Sequence, residues 1–135
     1  MFAALLLAHA SCLTASPRAP SPSPSPCKDF SVATSDGYAL SVVESRSAEA
    51  QRSESAVLLL HGRTWSSQPV WVETGTLGGA LGDRDRFAMD FRGFGRTPER
   101  AADGLLRPST CASDVRRVVE FLRCDLGYAR VDVVG

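Results

Sequence analysis

Hydrophobic and polar positions beyond residue 29 fall into two periods, one of strands and one of a helix. Phe30–Thr34 and Tyr38–Glu44 are short β-prone runs on either side of Ser35-Asp36-Gly37. Asp-Gly between such runs predicts a hairpin, because glycine accepts positive φ without steric cost. Ser45–Glu54 is polar and predicts a loop. Ala56-Val57-Leu58-Leu59-Leu60 is then apolar without a break and stops at His61-Gly62. A run of that length suits a strand buried on both faces, as in a parallel sheet. Between Val70 and Leu81 a helix interrupted by three glycines is expected, and Phe87–Phe91 predicts a second buried strand.

Residues 111–126 carry the clearest helical period. Val115, Val118, Val119, Leu122 and Leu126 form one stripe, while Arg116, Arg117, Glu120 and Arg123 lie off it. Ser109 or Thr110 is the expected cap, Asp114 in the first turn would suit the helix dipole, and Gly127 would end the helix. Val131–Val134 predicts a further strand. The order is a hairpin followed by β-α-β-α-β, which predicts an α/β fold with a mostly parallel sheet, an amino-terminal β-hairpin and right-handed crossovers.

Composition narrows the function classes. The 135 residues carry 15 basic and 15 acidic side chains, so the surface is not the strongly basic one that nucleic-acid binding needs. All but one of the basic residues are arginines, scattered along the chain. The apolar run Met1–Ala8 is too short to span a bilayer, for which roughly 20 residues are required, so no transmembrane segment is expected. Followed by Ala8-His9-Ala10, it predicts an export signal over residues 1–15, although no basic residue precedes it. Ser11-Cys12 also fits a lipoprotein cleavage site. Residues 16–28 are rich in Ser and Pro, an extended spacer that cannot build regular hydrogen-bonded structure. The expected location is therefore secreted, periplasmic or surface-tethered, with a domain over 29–135. Cys111 and Cys124 on one helix would lie about 20 Å apart, too far for a disulfide. A bridge from Cys27 to one of them and buried free thiols are both compatible with the sequence, and no Cys or His spacing predicts a metal site.

Two loops carry the chemistry. His61-Gly62 follows a buried strand, where loops of an open α/β sheet meet their ligands, and Gly62 lets the backbone approach closely enough for the next N–H to face a developing oxyanion. About 30 residues on, Asp90-Phe91-Arg92-Gly93-Phe94-Gly95-Arg96-Thr97-Pro98 again follows a strand. A dinucleotide-binding loop would need a small residue where Pro98 stands. A tight structural loop, fixed by hydrogen bonds from Asp90 and Arg92, fits better.

In this order and spacing the two loops resemble the α/β-hydrolase superfamily, from about Asp29 to Gly135. The resemblance implies that the Arg63 N–H contributes to an oxyanion hole, and that His61, Gly62, Asp90, Arg92, Gly93 and Gly95 are structural. Thr97 stands where the family often has Ser. The absence of Pro after His-Gly favours esterase-, lipase- or peptidase-like members. In the family the next strand enters a Gly-x-Ser-x-Gly elbow that carries the nucleophile. Val133-Val134-Gly135 matches its approach, and the acid and base follow later in the family's order. Ser66, Ser67 and Ser113 have hydroxyls but no base assigned beside them. The resemblance thus implies the amino-terminal part of a hydrolase of ester, amide or similar acyl bonds. It would take a small-molecule acyl substrate, use no cofactor, and be inactive over residues 1–135 alone. The alternative is a short non-catalytic binding or interaction module, in which Val131–Val134 would be an exposed apolar edge that invites aggregation.

Overall fold

The computed structural model describes residues 27–45, 53–74, 76–79, 84–98 and 107–135. The expected export signal, most of the spacer and the greater part of the loop expected at 45–54 lie outside them. The hairpin forms as read: β1 (Cys27–Ala33) and β2 (Ala39–Ser45) pair antiparallel, and Gly37 turns the chain at φ 82°. β1 opens at Cys27, paired with Ser45, so Cys27 and Lys28 already belong to the sheet.

β3 (Ser55–Leu60), β4 (Asp85–Met89) and β5 (Arg130–Val134) complete a five-stranded sheet of order β1-β2-β4-β3-β5. β3 pairs parallel with both β4 and β5, while β2 pairs antiparallel with β1 and β4, so the sheet is mixed, with its parallel part in β4-β3-β5.

The unbroken apolar sequence of β3 is explained by burial on both sides. Ala56 and Leu58 join Val32, Leu40, Val42, Phe87 and Met89 on one face, while Val57 and Leu59 join Val43 and Ala88 on the other. The first face is covered by α2 (Pro108–Glu120), through Val118 and, in the π-helical turn Phe121–Asp125 that follows, Leu122, with Tyr128 beyond. Val115, Val119 and Leu126 pack against the same cluster, so the predicted stripe is the buried stripe. The second face is covered by Leu77 of the short α1 (Thr76–Gly79) and by Trp71 and Val72. The helix expected from Val70 to Leu81 is instead a π-helical turn, Gln68–Val72, and the single turn of α1. Among the described residues the helix is broken at Glu73-Thr74, and the glycines around it raise the entropic cost of a continuous helix.

The start of α2 also differs from expectation. Arg107 occupies the N-cap position with no side-chain cap, Pro108 supplies the first helical residue, and the first turn holds no acidic group. Pro suits that position because its missing N–H would have no partner anyway. Asp114 lies in the second turn, is 1% exposed, and is used elsewhere. Gly127 ends the helical stretch at φ 80°. Cys27, Cys111 and Cys124 form no disulfide with one another; Cys27 and Cys124 are exposed and Cys111 half-buried, so neither a bridge nor fully buried thiols are found among these three.

Candidate functional site

β3 is followed by cover on one face of the sheet, and β4 by α2 on the other before the chain returns to β5 on the far side of β3. In an open α/β sheet the crevice at such a reversal, beyond the carboxyl ends of the strands, is where ligands bind. The loops 61–67 and 90–97 stand there.

His61 is buried, and its ring lies edge-on to Phe91 at 5.2 Å. The Phe91 N–H donates to Nε2 at 3.1 Å, so that nitrogen must be the acceptor, and Nδ1–H donates to the Gly62 carbonyl at 2.8 Å. Both ring nitrogens thus hold backbone, and the imidazole acts as a strut between the two loops.

Asp90 does the same with its carboxylate. Oδ1 accepts the Ser67 N–H at 2.7 Å and Oδ2 accepts the Arg96 N–H at 3.0 Å, with the side chain almost wholly buried. The Asp90 backbone is held as well, since its N–H donates to the Ser41 carbonyl and its carbonyl accepts the Thr97 hydroxyl at 2.8 Å. That hydroxyl also accepts the Ser41 N–H at 2.8 Å, so what position 97 requires is an oxygen, which Thr and Ser both provide. Gly95 sits at φ 53°, and a Cβ there would fall 2.5 Å from Asp90 Cγ and 2.6 Å from Oδ1. Glycine is needed at 95 both for the turn and for room around the carboxylate.

Arg92 fixes side chains rather than backbone. Its Nε and one terminal nitrogen clasp Asp114 at 2.7 and 2.6 Å, while both terminal nitrogens reach Asp36 of the hairpin turn, and the guanidinium stacks 4.1 Å from the Tyr38 ring. The hydrogen bond from Arg92, then that from Thr34, holds the Asp36 carboxyl down to about 2. The hydrogen bonds it donates to Asp114 outweigh burial and push Arg92 up. Two carboxylates thus join the hairpin and α2 to the second loop through one guanidinium. A groove of about 740 Å³ beside this cluster is lined by Thr34, Asp36, Arg92, Ser113 and Asp114, and does not include His61, Gly62 or Arg63.

Between the anchored His61 and Ser67, the chain makes a turn closed by the Trp65 N–H donating to the Gly62 carbonyl at 3.1 Å. Arg63 lies inside it, exposed, and its N–H has no acceptor among the described residues. Ser66, Ser67 and Ser113 have no base hydrogen-bonded to their hydroxyls among the described residues. Burial, and after it the Asp114 carboxylate, pushes the Cys111 thiol up, away from the reactive thiolate. Sequence reasoning thus placed the two loops and missed their partners: Ser67, Thr97, Asp36 and Asp114 join them from 7 to 56 residues away. A buried-side polar residue such as Asp114, on the sheet-facing side of a helix, was the one available signal.

The strand order, the reversal at β3 and the two interlocked loops make this the fold of the amino-terminal part of an α/β-hydrolase. Solved structures agree. The chain is similar to an esterase of Pyrococcus furiosus (22% identity, TM-score 0.60, covering 82% of this chain and 41% of that one). It is also similar to an α/β serine hydrolase without a lid from Xanthomonas campestris (15% identity, TM-score 0.59, covering 82% and 50%). A hypothetical protein of Pseudomonas aeruginosa overlays with a TM-score of 0.66 at 13% identity, covering 82% and 35%. The chain therefore spans half or less of the length of these structures. No protein-family model and no curated protein matches it. Among the described residues no helix is long and apolar enough to cross a membrane.

Proposed function

We propose that this chain supplies the oxyanion-binding side of an acyl-hydrolase site, acting on an ester, amide or similar acyl bond. The nucleophile, acid and base come from residues outside 1–135. The observation that carries the reading is the Arg63 N–H, which lacks an acceptor among the described residues while the residues flanking its turn are fixed by His61 and by Asp90. A donor held still before charge develops stabilises an oxyanion without reorganising, an effect of about 3–4 kcal/mol for one such donor in well-studied hydrolases. His61 takes no proton in this scheme, because both its nitrogens hold backbone.

Acetate, whose carboxylate resembles the oxyanion in charge, should shift the Arg63 amide resonance of the 135-residue chain. A fluorophosphonate serine-hydrolase probe should leave that polypeptide unlabelled. Stoichiometric labelling of a residue within 1–135, or an Arg63 amide indifferent to acetate, would overturn the proposal. Residues 1–15 act as the export signal and 16–26 as a spacer before β1, so that the domain is delivered outside the cytoplasm. An intact mass that retains residues 1–15 in the mature protein would count against that part.

A further inference from the structure

Three large apolar side chains are exposed among the described residues: Trp65, Val133 and Val134. The valines belong to the outer strand β5. Trp65, more than half exposed at 56%, stands instead in the turn that presents the Arg63 N–H. Its backbone is held in the turn. Its own N–H closes the turn onto the Gly62 carbonyl, and its ring carbon Cδ1 lies 3.6 Å from where a Cβ on Gly62 would be, so the indole stands over bare backbone. The ends of a four-residue turn lie within about 7 Å of each other, so one small molecule can meet both the N–H of its second residue and the side chain of its fourth.

We infer that Trp65 determines specificity at this site: its exposed indole takes the flat apolar group attached to the acyl carbon, so aromatic acyl groups are preferred over short alkyl ones. The inference rests on the reading of the Arg63 N–H as the oxyanion donor. An aromatic ring offered to an indole at 4.5–7 Å between centroids gains beyond the area it buries, whereas acetyl has no face to offer. The exposed Arg63 side chain attracts any carboxylate, so ligands of equal charge isolate the contribution of the ring.

The test titrates the isotopically labelled 135-residue chain with benzoate and with acetate at equal ionic strength, followed by nuclear magnetic resonance. The chain has two tryptophans, so the Trp65 indole signal is identified by its loss in Trp65→Phe. The Arg63 amide should move with both ligands and the Trp65 indole with benzoate alone. Benzoate should bind about fivefold tighter, the ratio expected of one aromatic contact. Trp65→Ala should bring benzoate to the level of acetate without changing the response of Arg63 to acetate. If Arg63 responds equally to both while the Trp65 indole stays silent, or if Trp65→Ala keeps the benzoate preference, the inference on Trp65 fails and the oxyanion reading stands. If Arg63 responds to neither, the oxyanion reading fails and takes the inference with it.

Discussion

Gly95→Ala tests whether the Asp90 carboxylate is what fastens the two loops together. Gly127→Ala is its control, because both glycines have positive φ, 53° and 80°, yet a Cβ at 127 meets nothing within 4 Å. Backbone strain alone costs about 1–2 kcal/mol at either position. At 95 the new methyl also enters the space of the Asp90 carboxylate, which must withdraw from the Ser67 and Arg96 N–H groups. Each hydrogen bond to a charged group contributes about 1.5–3 kcal/mol, so even partial loss adds about 3 kcal/mol. Gly95→Ala should therefore destabilise by about 4 kcal/mol or more and Gly127→Ala by about 1–2 kcal/mol. In urea titrations with unchanged slope, the difference appears as separate midpoints, and thermally as a gap of about 12 °C or more. Hydrogen exchange should show the Ser67 and Arg96 amides losing protection in Gly95→Ala only. Equal destabilisation by the two substitutions would refute the role given to Asp90.

The ion cluster and the Thr97 hydroxyl give three further expectations. Asp114→Asn, at a side chain 1% exposed, should cost about 3 kcal/mol, because it removes the buried carboxylate and leaves Arg92 only the exposed Asp36, whereas Asp36→Asn, at a side chain 54% exposed, should cost less than about 1 kcal/mol in the same urea assay. The Asp36 carboxyl is lowered in the folded state to about 2 from an ordinary 3.8. Its contribution is therefore complete above pH 3.8 and lost as pH falls towards 2, and Asp36→Asn should flatten the fall of stability within that window when unfolding is followed against pH. Thr97→Val leaves the Ser41 N–H and the Asp90 carbonyl without the hydroxyl and should destabilise by about 2 kcal/mol or more, while Thr97→Ser should fold with nearly native stability by calorimetry.

The parts legible in the sequence are those whose cause is local. The hairpin follows from Asp36-Gly37, β3 from an unbroken apolar run, β4 from its apolar centre Phe87-Ala88-Met89 although it starts two residues earlier than expected, at Asp85, and α2 from a stripe that needs only its own spacing. His61 and Asp90 were legible as loop residues because a polar side chain directly after a buried strand must satisfy backbone nearby. What escaped was decided at long range. Asp114 reads as a helix-dipole partner until Arg92, 22 residues earlier, is seen to face it. The exposure of Cys27 and Cys124 depends on which strand is outermost and how the π-helical turn rotates, neither of which has a sequence signature. The glycines after Val72 were visible, but not that the chain would divide its helical residues between two short turns.

The two-sided burial of β3 has a consequence for how the parallel strands find their alignment. In a strand with one wet face, sliding by one residue exposes the whole apolar set, and that penalty selects the register. Leu58 and Leu59 point to opposite faces and both are buried, so β3 sliding past β4 would trade leucine for leucine with little to oppose it. The observed pairing of Leu60 with Met89 is fixed just beyond the strand ends, where the His61 ring receives the Phe91 N–H and Asp90 holds Ser67. The two polar loops therefore act as an index pin for the sheet, and the same bonds that steady the Arg63 turn choose which residues of the core lie side by side.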